Sequence, residues 1–187
     1  MSIVQDGNTV LRQVATPIEP HEFGGGALHT VLTEMAATLD AEADGVALAA
    51  PQIGVSRRVF IVRYDRMEPP PKDDAPEVVP DIGVYINPVI KKTSRKKVEK
   101  EEGCLSVRGT YGKIMRYTRT SVEAYDEQGK KFSRGAGGLL AQAFQHEIDH
   151  LEGKLFIDTA TNLKEIAPED RPQKSRAQEN WKLDEHA

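Results

Sequence analysis

The chain has 187 residues, a formal net charge of −4 and a hydrophobic fraction of 39%. This length suits one well-filled core, so we expect a single domain over residues 1–187. The charge gives no sign of a DNA-binding protein, and no apolar run approaches the length that spans a membrane. The one cysteine, Cys104, excludes an internal disulfide and is compatible with a reducing cytoplasm. An opening without signal or transit features supports the same cytoplasmic expectation.

The first third of the chain contains a short mixed run, a predicted helix and a stretch of small residues. Val10–Val14 is a mixed run that is followed by prolines. Helical spacing of apolar residues predicts an amphipathic helix that runs to about Ala41. The stretch Gly45–Gly54 is small and apolar, which suits either a tightly packed buried loop or close approach of a substrate to the backbone. From these residues alone the buried loop is the preferred interpretation.

Two runs rich in β-branched and aromatic residues predict strands in the middle of the chain. They are Arg58–Tyr64 and Val84–Ile90, and Pro88 in the second indicates a bulge or an edge position. Between them, Arg66–Pro80 is dominated by proline and charge, which predicts an exposed insertion loop. A hairpin is predicted over Thr120–Lys131, because residues 126–129 form a turn sequence.

Two polar segments leave alternatives open. Lys91–Lys97 carries five basic residues in seven, and a solvated hairpin tip is the plainer interpretation. Contact with RNA phosphates is the alternative. Thr161–Ala187 predicts a polar C-terminal tail that could hold one short helix around Ser175–Leu183.

The sequence His-Glu-x-x-His occurs inside a predicted helix near the C-terminal end. His146 and His150 are four residues apart, so a helix places both on one face, where they can bind one metal ion. Glu147 then lies beside that ion and can accept a proton from water during a hydrolysis. An apolar stripe predicts that the helix is buried: Leu140, Phe144, Ile148 and Leu151. Two solvated histidines on an amphipathic helix are the alternative.

Two histidines leave a catalytic metal site one protein ligand short. The downstream chain offers His186 and a few acidic residues, none in a recognisable ligand pattern. Cys104 is the other source, because a thiolate is a strong ligand for iron or zinc.

Three ordered stretches resemble the motifs of the peptide deformylases. Gly45–Gln52 reads Gly-Val-Ala-Leu-Ala-Ala-Pro-Gln, Glu102–Ser106 reads Glu-Gly-Cys-Leu-Ser, and Gln145–Leu151 reads Gln-His-Glu-Ile-Asp-His-Leu. Each stretch is moderately specific, whereas the ordered set is highly specific. The resemblance extends from about Val10 to Asp158.

The resemblance implies an α+β fold, in which antiparallel and mixed sheets surround a central helix that carries the two histidines. It implies an enzyme that removes the formyl group from the N-terminal formyl-methionine of newly made polypeptides and releases formate. Cys104, His146 and His150 would hold a divalent metal, typically Fe²⁺, for which Zn²⁺, Ni²⁺ or Co²⁺ can substitute. Glu147 would move the proton from water to the leaving amine. The Gln52 side-chain amide and the Leu105 backbone N–H would stabilise the oxyanion.

The residues that flank these motifs are candidates for substrate binding. An apolar pocket for the methionine side chain is expected from Val46, Leu139, Ala143 and Phe144. Gly45 and Ala47 belong to the stretch that the substrate would approach. Ala47 departs from the family pattern, which has glycine there, so its methyl group could crowd the formyl group. Arg108 replaces a proline found in many bacterial members, and an arginine at the rim could alter peptide preference.

Two other functions are compatible with the sequence. The metal site could hydrolyse a different small formyl or acyl amide. An inactive relative could instead bind nascent chain ends or ribosomal RNA through Lys91–Lys97, which would make the ribosome a transient partner. Retention of Glu147 speaks against the inactive relative, because a binding protein has no chemical need for a general base.

Overall fold

The computed structural model describes residues 1–67 and 79–167, and these fold into two α-helices and eight β-strands. The helices are α1 (Gly26–Ala41) and α2 (Gly138–Leu151). The strands are β1 (Ala47–Ala49), β2 (Val59–Arg63), β3 (Ile82–Thr93), β4 (Lys97–Cys104), β5 (Val107–Tyr117), β6 (Arg119–Tyr125), β7 (Lys131–Gly137) and β8 (Thr161–Glu165). The predicted α+β class is confirmed. Neither helix in this described part is long and apolar enough to cross a membrane.

The strands form two antiparallel sheets. One has five strands in the order β1-β2-β3-β6-β7, and the other has three in the order β4-β5-β8. The interior strand β2 is buried along its whole length. Its side chains alternate between two cores: Ile61 belongs to a cluster with residues of α1, and Phe60 belongs to a cluster with residues of α2. The five-stranded sheet therefore separates the two helices.

Helix α1 covers one face of this sheet with the predicted apolar stripe. Leu28, Leu32, Met35 and Leu39 are buried and cluster with Leu48 and Ile61. The helix ends at Ala41, as its periodicity predicted. Beyond that end, the Arg66 guanidinium donates to three backbone carbonyls, those of Leu39, Glu42 and Gly45, at 3.0, 2.8 and 2.7 Å.

Arg66 requires a correction. The sequence placed it at the start of an exposed insertion loop, whereas it is 9% exposed and ends a 3₁₀ turn, Tyr64–Arg66. Burial is tolerated because the carbonyls of the α1 terminus accept hydrogen bonds from its Nη1 atom and Asp40 accepts from its Nη2 atom, although Nε has no partner among the described residues. Residues 68–78 of the predicted loop lie outside the described residues.

Helix α2 is the central helix that the sequence predicted. It contacts strands of both sheets. Phe144, Ile148 and Leu151 are buried, and the Phe144 ring packs against Tyr85 and Phe60 at centroid distances of 4.9 and 5.9 Å.

Two residues after the helix, Gly153 has φ +71°, and a Cβ there would lie 2.7 Å from the Arg12 carbonyl oxygen. Only glycine fits both constraints.

Strand β3 contains the predicted irregularity. Its pairing with β6 shifts register between Ile86 and Val89, and Asn87 has φ +50°. Pro88 therefore lies at a bulge, which is one of the two predicted alternatives, and β3 is an interior strand rather than an edge. The hairpin predicted over residues 120–131 is confirmed as β6 and β7.

Three other segments differ from their predictions. Lys91–Lys97 connects the two sheets and is not a hairpin tip, because β3 and β4 belong to different sheets. The predicted polar tail begins with a strand, since residues 161–165 form β8 and pair with β5. These residues are all exposed, so they show no hydrophobic alternation that would identify a strand. The small-residue stretch forms β1 and the 3₁₀ turn Ala50–Ile53 instead of a loop.

Candidate active site

Two elements bring the predicted metal ligands together. Cys104 is the last residue of β4, and His146 and His150 lie one turn apart on α2. One donor atom from each of the three residues lies within 4.8 Å of the others. The Cys104 Sγ atom is 3.2 Å from Nε2 of His150. These three side chains therefore converge on one point, as the sequence predicted.

Glu102 precedes Cys104 by two residues on β4, and its side chain also contacts α2. Oε2 of Glu102 lies 3.0 Å from Nδ1 of His146. Oε1 and Oε2 also accept hydrogen bonds of 2.6 and 2.8 Å from Arg116 on β5. A histidine that donates through Nδ1 presents Nε2 as the lone-pair donor, so Glu102 orients His146 for a ligand.

Arg116 extends this network back to α2. Its Nη1 atom donates to Asp149 at 2.7 Å, next to His150 in sequence. Burial alone would raise the pKa of Glu102, but the hydrogen bonds from Arg116 and His146 outweigh it and lower that pKa to about 2. Glu102 is thus a buried, ionised carboxylate with paired oxygens. The network ties β4, β5 and α2 around the three converging residues.

The two histidines have different electrostatic surroundings. Burial lowers the pKa of His146, yet hydrogen bonds with Cys104 and Glu102 raise it well above the usual value. Burial and the neighbouring His146 charge lower the pKa of His150 well below the usual value. The centre therefore stabilises one positive charge between the thiol and the Glu102 carboxylate.

Glu147 lies in the interior beside these histidines. Its side chain is buried, and its Oε2 atom has no hydrogen-bond partner among the described residues. Burial raises the pKa of this carboxyl to about 7, and the Glu102 charge adds to the effect while His146 opposes it. A carboxyl with a pKa near neutrality can both accept and return a proton at physiological pH.

The orientation of the Gln52 amide is fixed by its neighbours. Oε1 accepts a hydrogen bond of 2.9 Å from the Ala49 backbone N–H. Nε2 points the other way, 3.3 Å from Ser106 Oγ and 3.5 Å from Cys104 Sγ. The donor end of the amide therefore faces the centre. The resemblance to the peptide deformylases implies a donor role for Gln52, and this role stays a prediction.

The candidate substrate residues lie in different environments. Val46 and Leu139 are partly exposed, whereas Ala143 is buried and Phe144 lies within the aromatic core. Ala47 is 7% exposed and belongs to the core cluster of α2.

Gly45 and Leu105 are in contact at the edge of the site. A Cβ on Gly45 would lie 3.1 Å from Leu105 Cδ1 and 2.8 Å from Leu39 Cδ1, so a side chain would not fit without movement. Arg108 lies at the surface, where Nη2 donates to Oε1 of Glu42 at 2.6 Å.

Sequence reasoning missed the supporting residues Glu102, Arg116, Asp149 and Gln145. Gln145 joins α2 to β5, because its amide donates to the Tyr117 carbonyl and accepts from the Tyr117 N–H, at 3.0 and 2.9 Å. A signal existed for Glu102, since it precedes Cys104 by two residues in a strand-like run. Arg116 had no local signal, because its partners are distant in sequence.

Comparisons with known proteins identify the family of this chain. A sequence profile described as polypeptide deformylase matches residues 1–165. The chain is 40% identical over 163 residues to peptide deformylase of Pelagibacter ubique, covering 87% of each protein. It is 38% identical over 164 residues to peptide deformylase 1A, chloroplastic/mitochondrial, of Arabidopsis thaliana, covering 83% of this chain but 60% of that protein.

A solved structure shows the same fold. The Met-Ala-Ser-bound class I type b peptide deformylase of Acinetobacter baumannii superposes with a TM-score of 0.73 at 34% identity, covering 84% of this chain and 96% of that one. The resemblance inferred from the three motifs is therefore confirmed. With a profile match over residues 1–165 and relatives of this similarity, the chain belongs to the polypeptide deformylase family.

Proposed function

We propose that this protein is a metal-dependent peptide deformylase, which hydrolyses the N-terminal formamide of formyl-methionine on newly made polypeptides and releases formate. The observation that carries the proposal is the convergence of Cys104, His146 and His150 beside a buried carboxyl, Glu147, in a member of this family. The proposal includes one catalytic domain over residues 1–187.

The donor set fits a divalent cation. One thiol and two imidazoles are ligands that Fe²⁺, Zn²⁺, Ni²⁺ and Co²⁺ accept, and three protein ligands leave a position open, as a catalytic site requires. His146 is already oriented by Glu102. When bound, such a cation would act as a Lewis acid that polarises the formyl carbonyl and makes water more acidic. Ferrous iron is the proposed native metal, and metal analysis of protein purified without oxygen tests that choice.

The roles of the other residues follow from their positions. Glu147 accepts a proton from the attacking water and returns it to the departing amine nitrogen. Gln52 donates its Nε2–H to the developing oxyanion, and the Leu105 backbone N–H is the second donor. Because the Oε1 atom of Gln52 is held by Ala49, the amide needs no reorientation to donate.

The proposed methionine pocket lies along α2 and the stretch before β1. Val46 and Leu139 are its partly exposed members. Ala143 and Phe144 support it from the core, where they are buried. Gly45 allows the close approach of Leu105, because any side chain at position 45 would collide with it.

New polypeptides are the substrates, so the proposed location is the compartment of translation, the cytoplasm. Transient contact with ribosomal RNA is proposed for Lys91–Lys97, since Lys92, Arg95 and Lys96 in this connection are exposed. If the natural protein binds ribosomes with an affinity that falls as salt is added, and a variant with these three residues replaced by Gln binds more weakly, the results would support that contact.

Formate release from formyl-Met-Ala-Ser tests the function directly. The matched acetyl-Met-Ala-Ser peptide and free formyl-methionine serve as comparisons, and the metal content of the same sample is measured. The proposal predicts rapid formate release from the formyl peptide and little reaction with the other two compounds. Preference for free formyl-methionine or for an acetyl amide would indicate a different substrate. A metal-loaded sample that is inactive on all three would indicate a binding protein.

A further inference from the structure

An ion pair joins the loop after α1 to the start of β5, close to the metal ligands. Arg108 and Glu42 form this pair at 2.6 Å, with side chains 35% and 20% exposed. Arg108 follows Cys104 by four residues, and Glu42 precedes Gly45 by three. The pair therefore bridges two of the stretches that carry the proposed site.

Beneath this ion pair the two stretches are in contact. Leu105 Cδ1 and Glu42 Cβ lie 3.1 and 3.2 Å from the position that a Cβ on Gly45 would occupy. Leu105 follows the metal-binding Cys104 directly. A peptide whose formyl end reaches that centre past Leu105 would consequently have its following residues beside Glu42 and Arg108.

A surface cavity of about 420 Å³ begins at the same ion pair. Its lining includes Met1, Ile3, Thr38, Ala41, Glu42 and Arg108. The lining combines apolar side chains with the hydroxyls of Ser2 and Thr38 and one charge pair, so it can receive peptide residues of mixed character.

The charges at this rim are unequal. The loop carries two carboxylates, Glu42 and Asp44. Arg108 pairs with Glu42, and the buried Arg66 also interacts with Asp44. The Glu42 hydrogen bond raises the Arg108 pKa, and the charges of Asp44 and Cys104 add to that effect. Without Arg108 the rim would be more negative by one charge and would disfavour an acidic peptide. With Arg108 the rim is nearly balanced, and a guanidinium offers further N–H donors to a substrate carboxylate.

We propose that Arg108 is a specificity-determining residue, which allows acidic residues after formyl-methionine to pass along this cavity. The inference rests on the proposed deformylase function. Arg108 acts on binding of the peptide chain and not on the formyl group itself. Replacing Arg108 should therefore change KM more than kcat.

The test uses three formyl-Met peptides that differ only in the third residue, which is Glu, Gln or Lys. The measured quantity is the ratio of kcat/KM for the Glu peptide to kcat/KM for the Lys peptide. Arg108→Gln should lower this ratio about two- to fivefold, which is the size of one solvent-exposed charge interaction. Glu42→Gln should raise the ratio by a similar factor. Arg108→Lys keeps the positive charge, so its ratio should lie close to that of the natural protein.

Lys113→Gln is the matched control. Lys113 also lies on β5 and pairs with an exposed carboxylate, Glu99, at 2.7 Å, but it does not line the cavity. This variant has the same change in net charge and should leave the ratio unchanged. An unchanged ratio in Arg108→Gln, or an equal change in Lys113→Gln, would overturn the inference. If the Gln peptide releases no formate from metal-loaded natural protein, the deformylase function fails as well; if all three peptides release formate with an unmoved ratio, only this inference fails.

Discussion

Single residues define the proposed metal centre, and their chemistry decides which substitutions it tolerates. His146 and His150 could be predicted from their spacing because a helix repeats every 3.6 residues. Cys104 was a candidate ligand from thiolate chemistry alone, and its motif made it the predicted third ligand, because a single thiol in a strand-like run has no positional signature. Glu102 was missed as a functional residue, since its partners Arg116 and His146 are 14 and 44 residues away.

Cys104→Ser tests the ligand set at this scale. A hydroxyl is a poor substitute for a thiolate at neutral pH, so we expect metal binding to weaken strongly. The measurement is metal content after gel filtration, with a chelator titration to give relative affinity. Ala143→Ser, which adds a hydroxyl on α2 without removing a ligand, is the control. Full metal occupancy with full activity in Cys104→Ser would contradict the three-ligand assignment.

Ala47→Gly tests the departure from the family pattern. Among the described residues other than glycine, only Asn87 and Asn162 have positive φ, so alanine is unstrained at position 47. We expect kcat/KM for formyl-Met peptides to change by about tenfold or less, equivalent to roughly 1.4 kcal/mol. Because Ala47 is buried in the α2 core, the free energy of unfolding should also fall by about 1–2 kcal/mol. A gain of a hundredfold in kcat/KM, or loss of the metal, would contradict this account.

Secondary-structure elements explain how distant residues meet at the site. The β4–β5 hairpin places Glu102 and Cys104 against α2, and Arg116 on the second strand fastens the hairpin to the helix through Asp149. The amphipathic helices could be predicted, because in each of them apolar residues recur at helical spacing and mark the buried face. The connection at Lys91–Lys97 and strand β8 could not, because sheet membership depends on nonlocal pairing and these residues carry no apolar alternation.

Glu102→Gln tests the support that β4 gives to the metal. The amide keeps the size of the side chain but removes the charge that pairs with the buried Arg116 and orients His146. We expect metal affinity to fall by about 10- to 100-fold, the usual effect of losing a group that orients a ligand. Chelator competition measures this change, and Glu99→Gln on the same strand, an exposed carboxylate, is the control. Equal affinity in both variants would show that Glu102 has no role at the metal.

At the scale of the whole molecule, two sheets and two helices enclose one centre. The fold class and the central helix could be predicted, because motif order and apolar periodicity agreed with each other. The burial of Arg66 could not be predicted, because its composition-based assignment to a loop ignored the carbonyls at the end of α1 that accept its hydrogen bonds. Charged residues are assigned to surfaces by default, and only the folded chain shows which ones are paired inside.

The most direct test of the central claim is to measure formate release per bound metal ion in Glu147→Gln and in the natural protein. The claim is that a buried carboxyl beside a Cys-His-His metal centre moves the proton in deformylation. Gln keeps the shape of Glu147 and cannot accept that proton, so turnover of formyl-Met-Ala-Ser should fall by about two to four powers of ten while metal content stays unchanged. Unaltered turnover, or loss of the metal together with the activity, would contradict the account.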